Sequence, residues 1–247
     1  MAAKKNIDNI LQKWPFDPEH LSVRMVKGRD SRDVIQMRID MGMLQLEVLG
    51  RPDGTRPEGH DTYLGFLLNK SDGSISDMEL DEDDFGEIDR EFVQFYHRRI
   101  CWLTLREFER AVQDADHTLA LMDFCRDHCE DEQWTMSHEQ HRPFVLFHRT
   151  QAQALAALEE HGGPGAIEHI NEGLENFREF FEKYDVEEHF EEDELVTRLV
   201  ELRESLREQF EVGLTLEEKL MEAISKEQYE LAAELRDELS KRSQGQR

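Results

Sequence analysis

From Glu87 to Lys241 the apolar residues recur at three- and four-residue steps, and this regularity confines most of the chain to helices. Turn signals break it only around Asp127 to Ser137, at His161 to Gly165 and at Glu211 to Thr215. Within 87–185 the helices form a repeat-like array. Phe108, Ala111, Ala115 and the Thr118-Leu119 pair share one helix face, and Ala166, Ile170 and Gly173-Leu174 repeat those offsets. Small residues at such positions let antiparallel helices approach closely. An acidic amphipathic helix follows over 186–211, where Leu195, Leu199, Leu202 and Leu206 draw one narrow apolar stripe. That stripe suits either an edge packed on neighbouring helices or a coiled-coil contact between chains.

The first 70 residues read differently. A short helix in "NIDNILQKW" is stopped by Pro15 and Pro18. Three runs, "LSVRMVKG", "VIQMRID" and "MLQLEVLG", alternate apolar with polar residues and predict an antiparallel meander with one buried face. "TYLGFLLNK" fits a short helix or a buried strand. Residues 71–86 are acidic and poor in large apolar groups, which marks a linker. The fold class expected is α+β, mainly α: a small N-terminal sheet (1–70), the linker, central antiparallel helical hairpins (87–185), the acidic helix, and a C-terminal helical hairpin over 212–247.

The last segment carries the clearest functional signal. Leu216, Leu220 and Ile224 stand at i, i+4 and i+8, and Tyr229, Ala232, Ala233, Leu235 and Leu239 stripe a second helix across a Lys226-Glu227-Gln228 turn. A hairpin this short buries too little apolar area to offset its own ordering entropy, so it needs a further surface. "YELAAELRDEL", with Tyr229, Ala232-Ala233 and Leu235-Arg236-Asp237, resembles the UVR motif of the B and C subunits of the bacterial excinuclease and of activators and ATPases of the Clp protease system. The resemblance implies a helical hairpin that pairs with another hairpin and carries no catalytic group. It implies a partner-binding set of Leu216, Leu220, Ile224, Tyr229, Ala232, Ala233, Leu235, Arg236 and Leu239. The helical offsets of the central region are similar to those of tetratricopeptide units, and a generic bundle satisfies them equally. The whole chain resembles bacterial proteins defined by the UVR motif.

Charge and cysteine content narrow the function classes. Fifty-six acidic residues against 30 basic ones leave a net charge of -26, and no dense basic cluster offers phosphates a grip, so direct nucleic-acid binding is not expected. The three cysteines do not make a disulfide framework. With no signal-peptide core and no long apolar run, the chain reads as a soluble cytoplasmic protein without membrane partners.

Few residues offer chemistry. Cys125 and Cys129 lie one helical turn apart and His138 and His141 follow, with His117 and His128 as nearby alternatives, a set with zinc-ligand character, although the spacing fits half-buried thiols and surface histidines better. "DEDDFGEIDREF" imitates a calcium loop but places Phe85 and Phe92 where ligands are required, so its carboxylates are read as favouring a helix N-terminus. Arg51, Arg56 and His60 sit in a loop that suits an anion or simply connects. There is no "GxxxxGK[ST]" and no nucleophile with a base beside it. The expectation is a non-enzymatic adaptor without cofactors that binds a protein partner or itself through the hairpin. The alternatives are an accessory of nucleotide excision repair docking on an excinuclease subunit, and a metal-dependent stress-response regulator.

Overall fold

A computed structural model describes residues 6–72 and 80–245, so positions 73–79 of the predicted linker lie outside the described residues. The chain divides into two compact units, Met1–Ala152 and Gln153–Arg247.

In the first unit a short helix, α1 (Asp8–Lys13), ends ahead of Pro15 as the sequence requires. The meander follows: β1 (Val23–Lys27), β2 (Asp33–Ile39) and β3 (Gly42–Glu47), antiparallel in that order, with Met25 opposite Ile35 and Ile35 opposite Leu46. The expectation of one buried face needs correction at β2, where Val34, Ile35, Gln36, Met37 and Arg38 are all buried. Arg24 donates to Gln36 Oε1 at 2.9 and 2.7 Å, and Gln36 donates onward to Gln45 at 3.1 Å. Arg38 Nε donates to the Trp14 carbonyl at 2.8 Å, and the Arg24 guanidinium lies 4.1 Å from the Trp14 ring centre. These cross-strand partners satisfy the polar atoms, so the second face is covered without stranded donors.

"TYLGFLLNK" resolves as a helix, α2 (Tyr63–Asp72). The acidic run that mimics a calcium loop instead starts α3 (Glu82–Leu105). Asp81 accepts the Asp83 and Asp84 amides at 3.0 and 2.9 Å, and Asp84 accepts the Asp81 amide at 3.1 Å, a reciprocal cap that occupies these carboxylates. α3 closes at Arg106 in left-handed conformation (φ 61°), and two residues later α4 (Phe108–His128) begins, pairing with α3 as a helical hairpin. α5 (Glu132–Glu139) starts at Asp131, which caps the Trp134 amide, and α6 (Arg142–Lys183) follows. Tyr63, Leu64 and Leu67 of α2 meet Ile88 of α3 and Leu121, Phe124 and Cys125 of α4 in one core cluster. Arg98, buried on α3, ties this core to the end of the sheet: it donates to the Glu47 and Gly50 carbonyls and pairs with Asp114 of α4.

The second unit takes the remainder of α6, which is interrupted at Gly162 (φ 73°, ψ -165°), inside the predicted turn. Only glycine adopts that backbone readily. A Cβ at Gly165 would meet His161 and Ala157, so the chain folds back tightly there. After a 3-10 turn at Glu187–Glu192, Asp193 caps the Leu195 and Val196 amides and starts α7 (Glu194–Phe210). Leu199 and Leu206 of the predicted stripe are buried together with Val196, while Leu195 and Leu202 are half-buried. Ile167, Ile170, Leu174 and Phe177 are buried on α6.

Candidate protein-binding hairpin

The chain ends in α8 (Leu216–Ser225) and α9 (Tyr229–Gly245), joined by three residues. Thr215 starts α8 with a capping box: its hydroxyl accepts the Glu218 amide at 3.2 Å and the Glu218 carboxylate accepts the Thr215 amide at 2.7 Å. At the other end the Gln228 amide donates to the Ala223 carbonyl at 2.8 Å, and Glu227 takes a left-handed conformation (φ 57°) to reverse the chain. Between the helices Ala223, Ala232 and Leu235 are buried, with Leu216 and Leu220 packed against them. The two alanines face each other with no bulk to hold the helices apart, so the interior closes on very few atoms.

Glu218 also fastens the hairpin to its own unit. It is paired with Arg207 of α7, with Arg203 3.6 Å away, and Arg207 donates to the Gly213 carbonyl at 2.9 Å. Burial would raise the Glu218 carboxyl, but Arg207 and the Thr215 amide hold it below the ordinary range.

The nine residues expected to bind a partner separate into two groups. Leu216, Leu220, Ala232 and Leu235 line the interior and Leu239 is half-buried, whereas Ile224, Tyr229, Ala233 and Arg236 are exposed. Arg236 pairs with its neighbour Asp237 at 3.0 Å. Sequence reasoning missed Met221 and Leu231. Fractional exposures of 56% at Met221, 54% at Ile224, 70% at Tyr229 and 45% at Leu231 leave four apolar side chains outside the hairpin's interior. The signal for Met221 was present, three residues ahead of Ile224 on α8.

The Cys/His candidates do not converge. Cys125 is buried in the α2–α3–α4 core cluster, where burial pushes its thiol up to about 12, while Cys129 sits at the α4 terminus, half-buried. His138 Nε2 lies 2.9 Å from Asp89 Oδ1 and its ring meets Trp134 edge-on; burial lowers its basicity against the pull of Asp89. Among the described residues no group of three or more His, Cys, Asp or Glu side chains is placed to hold a metal ion. Arg51 and Arg56, considered for an anion, are engaged internally: Arg51 with Glu87 at 2.6 Å and Arg56 with Asp61.

A closed alanine-leucine interior with four exposed apolar side chains makes this segment a helical-hairpin module. The family model described as the UvrB/uvrC motif matches residues 214–243, the same two helices. Neither the curated proteins nor the solved structures give a match to the chain. Among the described residues no helix is long and apolar enough to cross a membrane.

Proposed function

We propose that this protein is a non-catalytic adaptor whose α8–α9 hairpin docks on a helical segment of a different protein. The carrying observation is the division of the hairpin's apolar residues: one set already fills its interior, and Met221, Ile224, Tyr229 and Leu231 stand outside it. Charge favours a different protein over a second copy. Residues 214–243 hold eight acidic side chains against five basic ones, and the chain carries -26 in all, so two copies repel while a helix with an apolar stripe rimmed by Lys and Arg is attracted.

Affinity capture with the full chain, followed by cross-linking through Lys219 and Lys226, tests this. A partner whose cross-links land on α8–α9, and which is lost with Ile224→Asp, supports the reading. Capture that is indifferent to Ile224→Asp, or a homodimer dissolved by it, contradicts it. If that partner is an excinuclease subunit, the adaptor acts in nucleotide excision repair.

A further inference from the structure

In the first unit, α3, α4, α5 and the start of α6 line a half-open cavity of about 570 Å³, within the usual range for small-molecule sites. Most of its wall is apolar, from Phe92, Tyr96, Met122, Trp134 and Phe144. Asp89, His138 and His141 sit on the same lining, and among the described residues the one cation of fixed charge on it is Arg99. Arg99 faces the cavity and is only 1% exposed. It donates to Thr118 Oγ1 at 3.0 Å and to His148 Nδ1 at 3.3 Å, both neutral acceptors. Burial, then the Arg99 charge, push His148 down to about 4, so the imidazole stays neutral.

Among the described residues Arg99 has no carboxylate partner. The nearest candidate, Asp114, is already engaged: Arg98 takes one oxygen at 2.9 Å and the other at 2.7 Å. Arg98 and Arg99 are both buried and the pair has Asp114 as its one carboxylate, so the surplus positive charge lies with Arg99 at the cavity wall. Burial pulls Arg99 down only to about 10, so it is charged at neutral pH. A buried charge without a counter-ion is strongly disfavoured unless something supplies one. Asp89, also on the lining, makes no ion pair with Arg99 and hydrogen-bonds His138 instead.

We propose that this cavity binds a small carboxylate bearing an aromatic or branched apolar body, with the carboxylate on Arg99 and the body against Phe92, Tyr96 and Trp134. The charge requires an anion, and the wall excludes a strongly hydrated one such as free phosphate. An aromatic face beside a guanidinium suits a flat or branched tail. The site lies apart from the hairpin and does not depend on the adaptor reading.

The test uses the full chain with a probe panel of benzoate, phenylacetate, indole-3-acetate and 4-methylpentanoate, each beside its uncharged amide. Saturation-transfer NMR and calorimetry read binding. At least one carboxylate should bind with a millimolar or better dissociation constant and about tenfold or more tightly than its amide, since a charge-assisted bond is worth that factor. Arg99→Met should abolish the preference while keeping the circular dichroism spectrum, and Met122→Trp should block the cavity with Arg99 intact. Carboxylates that fail to bind, or that bind no better than their amides, overturn the proposal. So does a preference that survives Arg99→Met. Should Arg99→Met fail to fold, loss or retention of binding in Met122→Trp decides the question.

Discussion

The Glu91 carboxylate on α3 accepts the backbone amide of Tyr63 at 2.7 Å, so a side chain of one helix caps the first turn of another. The same group accepts the Leu64 amide at 3.1 Å and lies 2.9 Å from His117 Nε2 and 3.5 Å from Arg51 Nε. Glu91→Ala strands the two amides and His117 in a buried site, leaving Arg51 to Glu87, and is expected to destabilise the first unit by about 3–5 kcal/mol in denaturant unfolding.

Acid should reveal the same contact. Burial alone would raise the Glu91 carboxyl, but His117 and the two amides outweigh it and hold it below its ordinary 4.5. A carboxyl depressed in the folded state stabilises the fold above the unfolded value and loses that contribution as pH falls through the folded one. Stability of the first unit should therefore drop below pH 4.5, and Glu91→Gln should flatten that drop; an unchanged acid limb would contradict the assignment.

Thiol labelling separates the three cysteines. Cys101 and Cys125 are buried, and burial pushes both thiols up to about 12, so iodoacetamide at neutral pH should modify Cys129 alone in the native protein. Mass spectrometry of the peptides checks this; modification of Cys125 at the rate of Cys129 would contradict its place in the core.

Packing in the second unit turns on Gly163. A Cβ there would lie 2.6 Å from the Cβ of Phe210, an atom that cannot swing aside because it is fixed to the backbone of α7. Gly163→Ala should destabilise the second unit by about 1–3 kcal/mol and leave hydrogen exchange in the first unit unchanged.

Legibility from sequence followed the range of the forces involved. The meander, the Pro15 stop and the α8–α9 pair rest on local patterns, and the structure holds all of them. The second face of β2 was hidden because its burial depends on Arg24 and Trp14 reaching Gln36 and Arg38 from elsewhere in the chain. Periodicity placed Ile224 on the same stripe as Leu216 and Leu220, but the hairpin crossing uses only the latter two. Sequence reasoning also missed Arg99. Its place seven residues after Phe92 and three before Trp102, on the apolar face of α3, was the available sign of an unusual charge.

The interior and exterior of the hairpin give the most direct test of the central claim. Leu235→Asp should unfold α8–α9, seen as lost amide protection there, and abolish partner capture together with structure. Ile224→Asp combined with Tyr229→Ser should keep α8–α9 protected from hydrogen exchange and still abolish capture. If that outer-face variant keeps both its protection and its partner, the exposed face is not the binding surface and the adaptor account is wrong.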